Sequence, residues 1–266
     1  MLRILIAIGV IFNVANAQET VKNVPFNGDF YSAGNKDKIG ILIVAGSGMG
    51  KDHETATRLN AMGYNVLAIS YYGEEGLPET LEMIPIEYFE TARKWLDERS
   101  SGVILYGLSK GAEASLVLAS HYPDEYKGII AMAPSKVVWQ GFPKDFSKIM
   151  QSPSSWSFDG KAIPFVPYIS REKQNELGLD NRHAASLTQK DKVKKALIPV
   201  QDIDIPTLLL SGGKDKAWPS TAMAWEICEK IGEQCSHISY PNGGHLLEEF
   251  KEEYMLEVEE FLKRLP

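Results

Sequence analysis

The chain has 266 residues, 44% of them hydrophobic, and carries 28 Lys and Arg against 35 Asp and Glu, a net charge of -7. That length suits one large domain, or one domain with an insertion, and the apolar fraction is enough for a core. The acidic balance argues against nucleic acid as a partner, which calls for a basic face, and beyond the amino terminus no 18-residue apolar run is available to span a membrane.

Arg3 precedes an apolar run over residues 4–12, and Ala15-Asn16-Ala17 has the A-x-A form of a cleavage site. Residues 1–17 are therefore expected to be a secretory signal peptide cleaved after Ala17. The product would be a secreted or periplasmic protein with no stable membrane insertion, its folded domain spanning residues 18–266. Residues 24–31 read as an edge strand. Residues 39–45 are continuously apolar, as a strand buried on both faces should be, and Gly46-Ser47-Gly48-Met49-Gly50 follows as a flexible loop. A helix is predicted over 53–62, stopped by Gly63; a strand over 65–71; and a long helix over 81–98 with Phe89, Ala92 and Leu96 on one face. The apolar run 103–106 leads into Gly107-Leu108-Ser109-Lys110-Gly111, and a good helix follows over 112–119. Further strands are predicted over 127–133, 205–211 and 236–240, and an amphipathic helix over 247–265.

This alternation predicts an α/β fold, a mostly parallel sheet with helices on both faces. It stops between Pro134 and Pro206, where Pro, Ser, Lys and aromatics concentrate. A structureless loop of about 70 residues would be abnormal, so residues 135–204 are expected to form an inserted cap.

Strand, Gly-x-Ser-x-Gly, helix is the nucleophile elbow of an α/β hydrolase. A serine that attacks a carbonyl must stand at a sharp, strained turn, and only residues without a Cβ fit two positions before and after it. Its hydroxyl needs a base, normally a His oriented by a carboxylate, in the chain order Ser, acid, His. Four histidines follow Ser109. His121 ends the elbow helix, His183 lies in a charged cap segment, and His237 falls inside a strand. His245 sits in the loop after that strand, Tyr240-Pro241-Asn242-Gly243-Gly244-His245, at the sheet edge where catalysts collect. Asp215 holds the corresponding place in Gly212-Gly213-Lys214-Asp215, whereas Asp202 and Asp204 precede their strand. The expected triad is Ser109, Asp215 and His245. The expected oxyanion donors are the backbone N–H of Lys110 and that of Ser47 or Gly48. The same glycine loop is not a phosphate cradle, because Gly50-Lys51 is followed by Asp52 rather than Ser or Thr. Tyr71 and the cap aromatics Trp156 and Phe165 are the candidate substrate-binding residues. No metal-ligand spacing and no cofactor motif is present. Cys228 and Cys235, late in a helix and just past it, are expected to pair in an oxidising compartment.

These residues, in this order, resemble the α/β-hydrolase catalytic domain of acyl-CoA thioesterases and bile-acid-CoA:amino-acid N-acyltransferases, in an exported, bacterial-like form. Gly107-Leu108-Ser109-Lys110-Gly111-Ala112-Glu113 looks like that family's GxSKGxE. Ala68-Ile69-Ser70-Tyr71-Tyr72, Leu77-Pro78-Glu79-Thr80, Ile86-Glu87-Tyr88-Phe89-Glu90 and the cap stretch from Gly160 to Tyr168 match further segments, and Asp215 to Ser220 and Tyr240 to His245 fall on the acid and base motifs. The resemblance implies the same triad. About 20 residues separate the expected signal peptide from the first sheet strands, so the amino-terminal β-sandwich of many coenzyme A-using members is not expected. The amino-acid transferases place Cys at the nucleophile, so Ser109 points to water as the acceptor. The expected function is a secreted or periplasmic serine hydrolase that cleaves a small-molecule ester or thioester through an acyl-enzyme. Alternatives are an acyl-CoA thioesterase or acyltransferase as in the family, a small-peptide hydrolase, and an inactive hydrolase fold used for binding. The intact Ser, Asp and His argue against the last.

Overall fold

The computed structural model describes residues 18–48 and 50–265, and the expected signal peptide lies outside them. In chain order the elements are strands β1 (Gln18–Thr20), β2 (Asn27–Tyr31) and β3 (Gly40–Val44), helix α1 (His53–Ala61), strands β4 (Asn65–Ser70) and β5 (Ile84–Pro85), helix α2 (Ile86–Asp97), strand β6 (Val103–Leu108), helix α3 (Lys110–His121) and strand β7 (Gly128–Met132). Strands β8 (Trp156–Phe158) and β9 (Lys161–Ala162) and helices α4 (Arg171–Glu176), α5 (Arg182–Ser186) and α6 (Lys190–Ala196) follow. Strand β10 (Thr207–Gly212), helix α7 (Ser220–Ile231), strand β11 (Cys235–Tyr240) and helix α8 (Lys251–Arg264) complete the described chain.

Eight strands form one sheet in the order β1-β2-β4-β3-β6-β7-β10-β11. From β4 to β11 all pairs are parallel, and β1 and β2 run antiparallel at one side. The continuous apolar runs serve two cores at once. Along β3 and β6, Leu42, Val44, Val103 and Leu105 face a core shared with α2, α3 and α7, while Ile41, Ile43, Ile104 and Tyr106 face a core shared with α1 and α8. This is the period-2 alternation of a strand. Burying each such side chain contributes roughly 1.5–3 kcal/mol, so the central strands hold the site's frame rigid.

Three expected elements differ. Residues 24–31 are not an edge: β2 pairs with β4 on one side and with β1 on the other. All three residues of β1 are exposed, so β1 lacked an apolar signal. The long helix begins at Ile86 rather than at residue 81, because Pro85 occupies its N-cap. Proline lacks an N–H and holds the preceding residue extended, and Ile84–Pro85 pairs in parallel with β8. The last helix begins at Lys251, since Leu247 takes a left-handed φ of 53° and a short 3-10 turn intervenes.

Residues 135–204 run between β7 and β10. They build a third core, in which Val137, Trp139, Val166 and Tyr168 are buried with Trp218 from the loop after β10. Strands β5, β8 and β9 form a three-stranded sheet, so this segment is stitched to the stretch before α2. Cys228 on α7 is disulfide-bonded to Cys235 at the start of β11, with Cα atoms 5.1 Å apart.

Candidate active site

Ser109 lies between the end of β6 and the first residue of α3, with φ 56° and ψ -114°. A non-glycine residue with positive φ is strained, and the surroundings hold it there. Its N–H donates to the Met132 carbonyl at 2.9 Å, and its own carbonyl accepts from Glu113 N–H at 3.0 Å. The flanking glycines are required sterically. A Cβ on Gly107 would lie 2.3 Å from the Gly111 carbonyl oxygen, and one on Gly111 would lie 1.8 Å from that of Val44.

The carboxyl ends of β6, β10 and β11 bring Ser109, Asp215 and His245 together. The Ser109 hydroxyl donates to His245 Nε2 at 2.7 Å. His245 Nδ1–H donates to Asp215 Oδ2 at 2.8 Å. A carboxylate only accepts, so Nδ1 carries the proton and Nε2 is left as the acceptor. The Asp215 side chain is 2% exposed and that of His245 21%, a buried acid behind a reachable base. Asp215 also accepts from the Ala217 and Trp218 N–H groups, and from the Ser220 hydroxyl at 2.6 Å. Burial works to raise the Asp215 carboxyl, but the hydrogen bond and charge of His245, with Ser220 and the Ala217 N–H, hold it below the usual carboxylate range.

Ser109 and His245 line a cleft of about 390 Å³ with Ser47, Gly48, Phe142, His183, Trp218 and Leu246 among its walls. Lys110 is the first residue of α3, and the first N–H groups of a helix have no intrahelical acceptor. Ser47 and Gly48 both face this cleft. The loop that carries them is braced from behind: the Tyr71 hydroxyl donates to the carbonyls of Ala45 (2.9 Å) and Gly46 (3.2 Å), and Tyr72 donates to that of Ser47. Past Ser47 and Phe142 the cleft adjoins a second cavity of about 590 Å³, which Tyr72, Glu74, Glu79, Lys144 and Phe146 also line.

The expected substrate-binding residues are not in the cleft. Tyr71 is 2% exposed and Trp156 fully buried, each with its polar atom satisfied inside the core. Phe165 packs half-buried against the main core. The residues that do line the cleft are Phe142, Trp218 and His183. Trp218 lies in the acid loop itself, its ring edge-to-face on His245 with centroids 4.9 Å apart. His183 packs against Trp139, Tyr168 and Trp218 and takes a hydrogen bond from or gives one to the Tyr168 hydroxyl at 2.9 Å. Burial, with the Lys110 ammonium nearby, pulls its imidazole down to about 3, so it stays neutral. Nothing local in the sequence marks His183, because its neighbours in the cleft come from distant segments. Of the other histidines, His121 ends α3 and His237 pairs with Ser211 at 2.8 Å, both away from Ser109.

Beneath the elbow, Lys110 Nζ donates to both Glu113 carboxylate oxygens at 2.7 Å, and Glu113 Oε1 also accepts from Trp139 N–H and Trp156 Nε1–H. Both side chains are buried. Burial pushes the ammonium down and the carboxyl up, and each partner opposes the shift of the other. Glu113→Ala would leave Lys110 buried and unpaired, at a cost of about 3–5 kcal/mol. Thermal melts should fall by about 10 °C. A shift below about 2 °C would show that the pair is dispensable to the elbow.

The family model for BAAT / acyl-CoA thioester hydrolase C terminal matches residues 84–249. Acyl-coenzyme A thioesterase 1 of Rattus norvegicus is 32% identical over 219 residues, 79% of this chain and 48% of that protein. The mitochondrial acyl-coenzyme A thioesterase 2 of Homo sapiens is 30% identical over 221 residues, 79% of this chain and 42% of that one. The chain thus spans about half the length of the curated relatives it matches. Among solved structures, an alpha/beta hydrolase from Penicillium sp. sh18 superposes with a TM-score of 0.63 at 18% identity, covering 94% of this chain and 98% of that chain. An esterase from Pyrococcus furiosus gives 0.59 at 19% identity, covering 94% and 92%. These two likenesses concern the fold.

Proposed function

Because the chain belongs to the BAAT / acyl-CoA thioester hydrolase C-terminal family, we propose that it is a serine hydrolase cleaving a carboxylic ester or thioester through an acyl-enzyme. The observation that carries this reading is the unbroken hydrogen-bonded chain from Ser109 through His245 to Asp215, lining an open cleft. Ser109 Oγ attacks the carbonyl carbon while its proton passes to His245 Nε2. Asp215 stabilises the resulting imidazolium through Nδ1–H without taking the proton. The former carbonyl oxygen, now an oxyanion, accepts from the Lys110 N–H and from an N–H of Ser47 or Gly48. As the bond to the leaving oxygen or sulfur breaks, His245 returns the proton to that atom. Water then attacks the acyl-enzyme with His245 again as base, releasing the carboxylic acid and restoring the serine.

The names of the curated relatives make coenzyme A the first leaving group to test. The charges around the cleft favour a smaller one. The two lysines that line the cleft and its adjoining cavity are committed: Lys51 to Glu74 at 3.1 Å and Lys144 to Glu79 at 2.9 Å. Coenzyme A phosphates would therefore meet paired cations and nearby carboxylates. The apolar run after Arg3 and the Ala15-Asn16-Ala17 site support export, and the Cys228–Cys235 bond suits an oxidising compartment. Coenzyme A thioesters are scarce there. We expect hydrolysis of simple carboxylic esters and of thioesters with small thiols. Matched acyl groups on p-nitrophenol, on a short thiol and on coenzyme A should give comparable kcat/KM. A preference for coenzyme A of a hundredfold or more, about 2.7 kcal/mol of transition-state binding, would overturn the small-leaving-group reading and restore the relatives' substrate.

A further inference from the structure

Away from the catalytic cleft, a cavity of about 300 Å³ opens where α3, β9 and the segment after α6 meet. Val117, Val138, Ile163, Leu197 and Ile198 give it apolar walls. The polar groups on its lining are all basic: Lys161, Lys195 and His121. No carboxylate is among its described lining residues, although the chain as a whole is acidic, with a net charge of -7. The catalytic cleft and the cavity beside it, by contrast, include Asp52, Glu74 and Glu79.

The lysines here differ from those that line the catalytic cleft and the cavity beside it, where Lys51 is paired with Glu74. Lys110, Lys136, Lys144 and Lys173 each hold a carboxylate. Lys161 and Lys195 are exposed and form no ion pair among the described residues. His121 is fixed by a hydrogen bond from Nδ1–H to the Val117 carbonyl at 2.9 Å, and its ring stands edge-on to Phe158. An apolar recess whose lining includes two lysines without ion pairs suits a molecule with a short apolar tail and one anionic head. The volume lies at the lower end of the range for small-molecule sites, about 300–1,000 Å³, which selects a single short chain over a two-chain lipid.

We propose that this cavity binds an amphiphilic monocarboxylate of about six to ten carbons, its tail against Val117, Ile163 and Ile198 and its carboxylate between Lys161 and Lys195. Carboxylic acids are what ester or thioester hydrolysis releases, so the ligand would belong to the product class; that link alone rests on the function proposed above. Val117 and His121 stand on α3, the helix that Ser109 caps. An occupant would therefore touch the elbow helix and the cap at once.

The test is calorimetric titration of the whole protein with sodium octanoate and sodium hexanoate below their micelle concentrations. Octanoate should bind saturably and about tenfold more tightly than hexanoate, as two further methylenes leave water. The double variant Lys161→Glu/Lys195→Glu, both on the surface, should weaken octanoate at least tenfold while leaving ester hydrolysis unchanged. Ala162→Trp, which fills the exposed lining without changing charge, should do the same. Phe142→Ala, in the catalytic cleft, should leave this binding intact. Absence of saturable binding, or a loss confined to Phe142→Ala, would overturn the proposal. Titration does not read turnover, so the site stands or falls independently of the hydrolase assignment.

Discussion

Ser109→Ala should abolish turnover of any ester or thioester the protein accepts, by about 10⁴–10⁶ in kcat. The substitution removes one hydroxyl from a residue that is 6% exposed and held by its backbone, so the fold should survive. A fluorophosphonate should label the native protein at one site and leave Ser109→Ala unlabelled. Ser109→Gly sharpens the test. Its φ of 56° costs a non-glycine residue on the order of 1–3 kcal/mol, and glycine relieves that strain. Ser109→Gly should be equally inactive and at least as heat-stable as Ser109→Ala. Activity above a few per cent of native in either variant would remove Ser109 from the nucleophile's place. So would fluorophosphonate labelling elsewhere in the chain.

Asp215→Asn should lower kcat by about 10⁴. The carboxylate accepts from His245 Nδ1, from Ser220 and from two backbone N–H groups. An amide there either presents an N–H to Nδ1 or turns its donor into the N–H groups of the loop. The first orientation loses the tautomer that leaves Nε2 free to accept the serine proton, and the second sets donor against donor in the loop and loosens the hold on His245. His245→Ala should be as damaging as Ser109→Ala. The same carboxylate makes a pH prediction. Its folded pKa is depressed below the usual carboxylate range, so its contribution to stability is complete above the unfolded value of about 3.9 and is lost as pH falls through the lower folded value. Melting temperatures of native protein and Asp215→Asn should therefore converge as the pH drops below about 4. Parallel profiles from pH 7 to pH 3 would mean that the Asp215 charge is not stabilised by its neighbours.

Much of the frame was legible from pattern alone. The continuous apolar runs at 39–45 and 103–106 announced strands buried on both faces, and β3 and β6 divide their side chains between two cores. The elbow was legible because its glycines answer a local steric demand, seen in the contacts a Cβ would make at Gly107 and Gly111. Asp215 and His245 were legible because loops after parallel strands gather at one sheet edge, and the structure places both there with Ser109.

Local pattern was enough for the order of the main strands and helices, the pairing partners available to Cys228 and Cys235, and the choice of the three residues that meet at the sheet edge. Each of these follows from periodicity, from short spacing, or from a turn whose backbone admits few residue types. Where β1 and β5 pair was settled by long-range packing, since three polar residues and an Ile-Pro step carry no periodic signal. That packing also decided which aromatics wall the cleft. Trp156 and Tyr71 satisfy their polar atoms in the core, while Phe142, His183 and Trp218, from three separate segments, converge on Ser109. A cap's side chains are apportioned by packing among segments far apart in the chain, and no local pattern encodes that choice.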